Sequence, residues 1–196
     1  MASVNPGPQA GQPAVDFNKL KEIGYDLLVA IGENPEREGL AETPERFAKT
    51  WREFIEYDPG KLSTRFEAVQ VDQMVTVTGI KVWSLCEHHL VPFSCHITAS
   101  YITKDKVVGL SKIARVCQQA AHRLQLQERL VSQVADTLQD ITGSESVGVI
   151  GEGVHLCMVM RGVKQDAKAV TSVMRGLFMH SQAARAELLA LHHNGV

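Results

Sequence analysis

The chain has 196 residues, 44% hydrophobic and 21% charged, with a net charge of −2 at neutral pH. That balance belongs to a globule with a sizeable core and excludes a broadly basic surface for nucleic acid, so any cationic site must be local. No apolar run approaches the roughly 18 residues of a membrane span, and no membrane partner is expected.

Met1-Ala2-Ser3-Val4-Asn5-Pro6 has neither the charged nor the apolar region of a secretory leader. Four cysteines in such a chain point to metal or thiol chemistry rather than a disulfide framework, and the expected location is cytoplasmic.

Residues 1–14, rich in Pro, Gly, Gln and Ala, read as a disordered tail. From Val15, apolar residues at Phe17, Leu20, Ile23, Leu27, Leu28 and Ile31 predict a helix. A second helix opens with Thr43 as cap and Pro44 as first helical residue, and runs to Ile55. Residues 15–65 therefore form a helical arm, and residues 66–196 the domain that carries the chemistry.

Residues 66–85 switch to β character, with the apolar parity changing at Gly79, which predicts a bulge there. A second strand covers Ser94 to Thr103. Ser111 is expected to cap a helix with the stripe Ile113, Val116, Cys117, Ala120, Ala121 and Leu124. Another helix runs from about Glu128 to Gly143. Strands over 146–162 and 168–178 and a helix over 181–193 complete the chain. The order strand-strand-helix-helix-strand-strand predicts an α+β layer, an antiparallel sheet with helices on one face.

The most chemical stretch is Cys86-Glu87-His88-His89. Cys86 and His89 can share one metal ion, and zinc accepts that mixture. Strand parity over 154–161 places His155, Cys157, Val159 and Arg161 on one side. Cys157 would then complete a Cys-His-Cys set, and three protein ligands leave a position for water or substrate. His88 and His155 remain as proton carriers, unless one closes the site as a fourth ligand. Cys117 lies in an apolar stripe and reads as core; Cys95 could point either way. The expected helix start at Ser111, with Lys112 and Arg115, suits an anion, to which Arg46 and Arg161 could add charge. Gln127-Glu128 opens the next helix; Glu128 either compensates the helix dipole or accepts the paired N–H donors of a purine edge.

Together these segments resemble the GTP cyclohydrolase I family. The motifs are Glu42-Thr43-Pro44-Glu45-Arg46, Cys86-Glu87-His88-His89, Gly109-Leu110-Ser111-Lys112-Ile113-Ala114-Arg115, Leu124 to Leu130, His155-Leu156-Cys157 through Gly162, and Arg175-Gly176-Leu177-Phe178. The resemblance implies the tunnelling fold, its units assembled into oligomeric barrels as a homodecamer of two pentameric rings. It implies zinc on Cys86, His89 and Cys157, proton transfer by His88 and His155, and guanine held by Gln127 and Glu128. Triphosphate would be held by Lys112, Arg115 and Arg161, with Arg46 from a neighbouring subunit and Ser111 near the ribose. The implied reaction takes GTP and water to 7,8-dihydroneopterin triphosphate and formate.

Overall fold

The computed structural model describes residues 14–62, 64–68 and 70–195. The tail expected over 1–14 lies, apart from Ala14, outside them. Of the described residues, those up to Asp58 form one compact unit and those from Pro59 onward another.

In the first unit, α1 (Phe17–Ala30) is capped by Asp16, whose carboxylate accepts the Lys19 N–H at 2.9 Å. Helix α2 (Thr43–Ile55) has Glu42 at its cap position, so Thr43 is the first helical residue rather than the cap. Leu28 and Ala48 are buried. Ile23, Leu27 and Ile31 of the predicted stripe stay exposed, at 44%, 47% and 64%.

The second unit is built on β2 (Met74–Cys86), β3 (Pro92–Ile102), β5 (Leu124–Gln125), β6 (Val147–His155) and β7 (Lys168–Met174). Their order across the sheet is β5-β2-β3-β6-β7. All neighbours are antiparallel except β5, which pairs parallel to β2 through Leu85–Leu124 and Cys86–Gln125. A short ribbon joins β1 (Arg65–Glu67) to β4 (Lys106–Val108). The predicted strand over 66–85 is thus two strands in two sheets.

The expected bulge is present. Val77 pairs with Ala99 and Ile80 with Ile97, so Thr78 and Gly79 together face Thr98. Gly79 has φ +66°, a backbone region that glycine enters at no steric cost. Beyond it Ile80, Val82, Ser84 and Cys86 turn inward, while Lys81 and Trp83 stay exposed.

The inner face packs on α3 (Leu110–Ala121) and α4 (Gln127–Thr142). Phe93, Cys95, Ile97, Ala99 and Tyr101 of β3 meet Ile113, Val116 and Cys117 of α3 and Leu130, Val134 and Leu138 of α4, nearly all inaccessible to solvent. Each large side chain buried there contributes about 1.5–3 kcal/mol. Gly143, at φ +71°, ends α4 as predicted. Toward one end of the other face, Phe178 of α6 (Leu177–His180) and Ala184 and Leu188 of α7 (Gln182–Gly195) cover Ile102 and Ile150. Buried His192 of α7 hydrogen-bonds Thr98 there at 2.9 Å.

Two boundaries differ from the sequence reading in ways that touch the site. Strand β6 stops at His155, and Leu156–Val159 wind into a one-turn helix, α5. The reason is the partner strand: β3 begins at Pro92, and Phe93–His155 is the last β3–β6 pair, so residues beyond have no ladder. Helix α3 starts at Leu110 with Gly109 at the cap position, so Ser111 lies inside the first turn and caps nothing.

Candidate active site

The turn that leaves β2 is closed by its own backbone. Cys86 donates its N–H to Val91 O at 3.0 Å, and the N–H groups of His89 and Leu90 return to Cys86 O at 3.3 and 2.8 Å. Leu90 takes φ +55° to complete it, a left-handed conformation that costs a non-glycine residue about 1–2 kcal/mol. Cys86 is buried at the strand end, and His89 is exposed beside it with Nδ1 3.8 Å from Cys86 Sγ.

Cys157, on α5, brings its sulfur to the same place. The three ligand atoms of Cys86, His89 and Cys157 lie within 4.8 Å of one another, the only such group among the described residues. Zinc fits this donor set. Two sulfur or nitrogen ligands of one tetrahedral zinc stand roughly 3.5–3.8 Å apart, close to the Cys86–His89 separation. Burial, and then the Cys86 sulfur, push the Cys157 thiol up, while the nearby Arg161 charge pulls it back. A cation shared by the two sulfurs would favour the thiolate. Cys157 does not reach this position by strand parity, as the sequence suggested, but through the helical turn that replaces the strand.

The remaining cysteines lie elsewhere. Cys95 and Cys117 are fully buried in the inner core. Burial pushes the Cys95 thiol up to about 12 and raises Cys117 as well.

His155 is held on two sides. Its ring stacks on Phe93, with centroids 4.4 Å apart and planes 7° from parallel. Its Nε2 lies 2.8 Å from Gln127 Oε1. The Gln127 amide nitrogen faces Gly151 O, Ala169 O and Thr171 Oγ1 at 3.0, 2.9 and 3.1 Å. Carbonyls only accept, so Gln127 must turn its oxygen to His155, and His155 must donate from Nε2. Nδ1 is then the basic nitrogen. Burial lowers the pKa of this ring and outweighs the nearby Glu128 carboxylate, which favours the neutral form of His155. Gln127 is buried beneath β6, where a Cβ on Gly153 would collide with its amide; only glycine leaves it room.

The other predicted residues are more open. Glu128 is exposed in the first turn of α4, and His88 is exposed in the Cys86 turn. At the start of α3, Lys112 Nζ donates to Lys61 O, and Arg115 Nη1 donates to Pro59 O at 3.0 Å. Arg161 and Ser111 are exposed. Arg46 lies in the other compact unit, paired with Glu42 at 2.5 Å. Sequence reasoning missed two supports: the Phe93–His155 stack, and a bidentate ion pair of Glu87 with Arg129. The second had a visible signal, since an acid inside the ligand motif and an arginine inside the Gln127-Glu128 motif are both unaccounted for by the ligands.

Among known proteins, the family model for GTP cyclohydrolase I matches residues 20–193. GTP cyclohydrolase 1 of Hyperthermus butylicus is 45% identical over 175 residues, covering 89% of this chain and 90% of the relative. The protein of that name from Chlorobaculum tepidum is 47% identical over 183 residues, covering 91% and 82%. A Pseudomonas syringae protein, GTP cyclohydrolase 1 1, is 46% identical over 182 residues, covering 89% and 96%. With the motifs in place and the match extending through both compact units, this chain belongs to the GTP cyclohydrolase I family.

Proposed function

We propose that the protein converts GTP and water to 7,8-dihydroneopterin triphosphate and formate, with zinc held by Cys86, His89 and Cys157. The observation that carries this reading is the meeting of those three ligand atoms beside a histidine fixed in one tautomer. Bound there, zinc would supply a water activated for attack at neutral pH. A closed structural site normally uses four protein ligands, so a set of three favours catalysis.

Water adds at C8 of the purine, N7 takes a proton, and the imidazole ring opens. A second water releases formate. The ribose then opens, rearranges to a ketone and closes on the freed diamine with loss of one water, so the net consumption is one. This sequence needs groups that both give and take protons. His155, neutral and basic at Nδ1, takes one, and His88 serves as its counterpart in the turn.

Glu128 accepts the N–H donors of the guanine edge, close enough to act on the charge of His155. Gln127 contributes to that pocket through His155, its own amide being occupied by the protein. Lys112, Arg115 and Arg161 hold the triphosphate, since each keeps donors beyond the bonds described above. Ser111 lies in the same helical turn as Lys112, near the ribose. Arg46 completes the pocket from a neighbouring subunit in a decamer of two pentameric rings. Among the described residues no helix is long and apolar enough to cross a membrane, and a cytoplasmic enzyme is the reading we adopt.

The test is direct. Purified zinc-loaded protein should consume GTP, release formate in equal amount and yield a fluorescent pterin after oxidation. Intact protein that leaves GTP unchanged ends this reading. Sizing the native protein tests the assembly, because a monomer could not supply Arg46 across a junction.

A further inference from the structure

Glu87 sits between Cys86 and the two histidines in the chain, yet it is not one of the three clustered side chains, and its carboxylate is engaged elsewhere. Its carboxylate receives two hydrogen bonds from Arg129, Nη1 to Oε2 at 2.7 Å and Nη2 to Oε1 at 2.9 Å. Its N–H donates to Gln125 O at 3.1 Å, and Cys86 pairs with Gln125 along β5. Arg129 follows Gln127 and Glu128 in the first turn of α4. The side chains are 29% and 40% exposed, so the pair adds little to global stability. What a forked, planar contact does supply is orientation.

We infer that Glu87 is a positioning residue: its ion pair with Arg129 sets where the metal-holding turn stands relative to the carboxylate of Glu128. The inference rests on the proposed function. One end of the joint carries Cys86, His88 and His89. The other carries Glu128, and Gln127 with the histidine it orients. A guanine read by Glu128 therefore presents C8 to the metal only while the joint is closed. The contact is made on the protein before substrate arrives, so it costs nothing at the moment of reaction.

The variants are Glu87→Gln, Arg129→Gln, their combination, and Arg129→Lys, which keeps the charge and loses the fork. Each single substitution is expected to lower kcat about a hundredfold, the cost of roughly an ångström of misplacement. KM for GTP should stay within about threefold, because the groups that bind substrate remain. The double variant should be no worse than the singles, and Arg129→Lys should resemble Arg129→Gln.

A readout without turnover accompanies these: protein loaded with Co2+ and the 7-deaza analogue of GTP, whose ring cannot open but which keeps H8. Paramagnetic relaxation of H8 should weaken in Glu87→Gln while the cobalt–thiolate absorption stays as in the wild type. Unchanged H8 relaxation overturns the inference whatever happens to kcat. Loss of the cobalt band in the variants overturns it too, since the pair would then retain metal rather than place it. Wild-type protein that turns over no GTP sinks the proposed function and this inference with it; an active wild type with indifferent variants sinks only the joint.

Discussion

Two segments bring the three metal-capable side chains together, and they are supported by opposite means. The turn after β2 closes on itself: its own hydrogen bonds span Cys86 to Val91, its one unusual conformation, Leu90, lies inside it, and only its placement draws on Gln125 and Arg129 through Glu87. The end of β6 depends on distant parts of the chain. His155 is held by Phe93 on one strand and Gln127 on a helix, and Cys157 follows only because the ladder has run out at Pro92. A local turn can form early and tolerate change around it. A side chain fixed by remote contacts keeps its orientation only while the packing between sheet and α4 is intact.

The contrast can be broken at either segment. The largest effect is expected from Cys157→Ala, which should abolish both metal retention and GTP turnover, whereas Cys117→Ala in the core should keep both. Metal analysis of the two purified variants decides it, and zinc held tightly by the Cys157 variant would show the wrong third ligand. Next is His88→Ala. It should keep its metal and lose turnover by about 10²- to 10⁴-fold, the usual worth of a proton-transfer group. Loss of zinc there would instead make His88 a ligand.

Gly153→Ala sharpens the contrast from the other side. The new methyl must displace the Gln127 amide, so urea unfolding should show a loss of about 1–3 kcal/mol. Metal content should stay unchanged while kcat falls with the misplaced His155. An unaffected kcat would mean that the Gln127 bond does not orient that ring. The smallest effect belongs to the turn itself. Leu90→Gly relieves a strained φ at the expense of chain entropy, and should shift stability by less than about 1 kcal/mol, in either direction, by thermal melting. A larger loss would mean that Leu90 is held by packing rather than tolerated by the turn.

How far the sequence reached follows the same division. Cys86 and His89 were legible because a Cys-x-x-His pair needs only one turn to converge. The Gly79 bulge was legible because the apolar parity changes there, and the end of α4 because Gly143 suits a left-handed cap. The end of β6 was not. Val154 to Arg161 alternates like a strand, and nothing within it announces that the neighbouring strand begins at Pro92; that fact belongs to pairing, not to local pattern. Ser111 misled for a related reason, since a serine one residue inside the helix looks in sequence like one at its cap. The tautomer of His155 could not be read at all, because it is decided by which carbonyls surround Gln127.

The bulge at Gly79 has a reach beyond its own pair of strands. Every residue between it and Cys86 faces inward or outward according to a phase that Gly79 sets. Were these residues paired in plain register from Val77 onward, with none removed, Cys86 would face outward and Leu85 inward, leaving a metal-capable residue on the wrong side of the sheet. The strand thus works as a counter that is advanced by one, once, seven residues before the cysteine, and a lengthening or shortening of this stretch preserves the site only in steps of two.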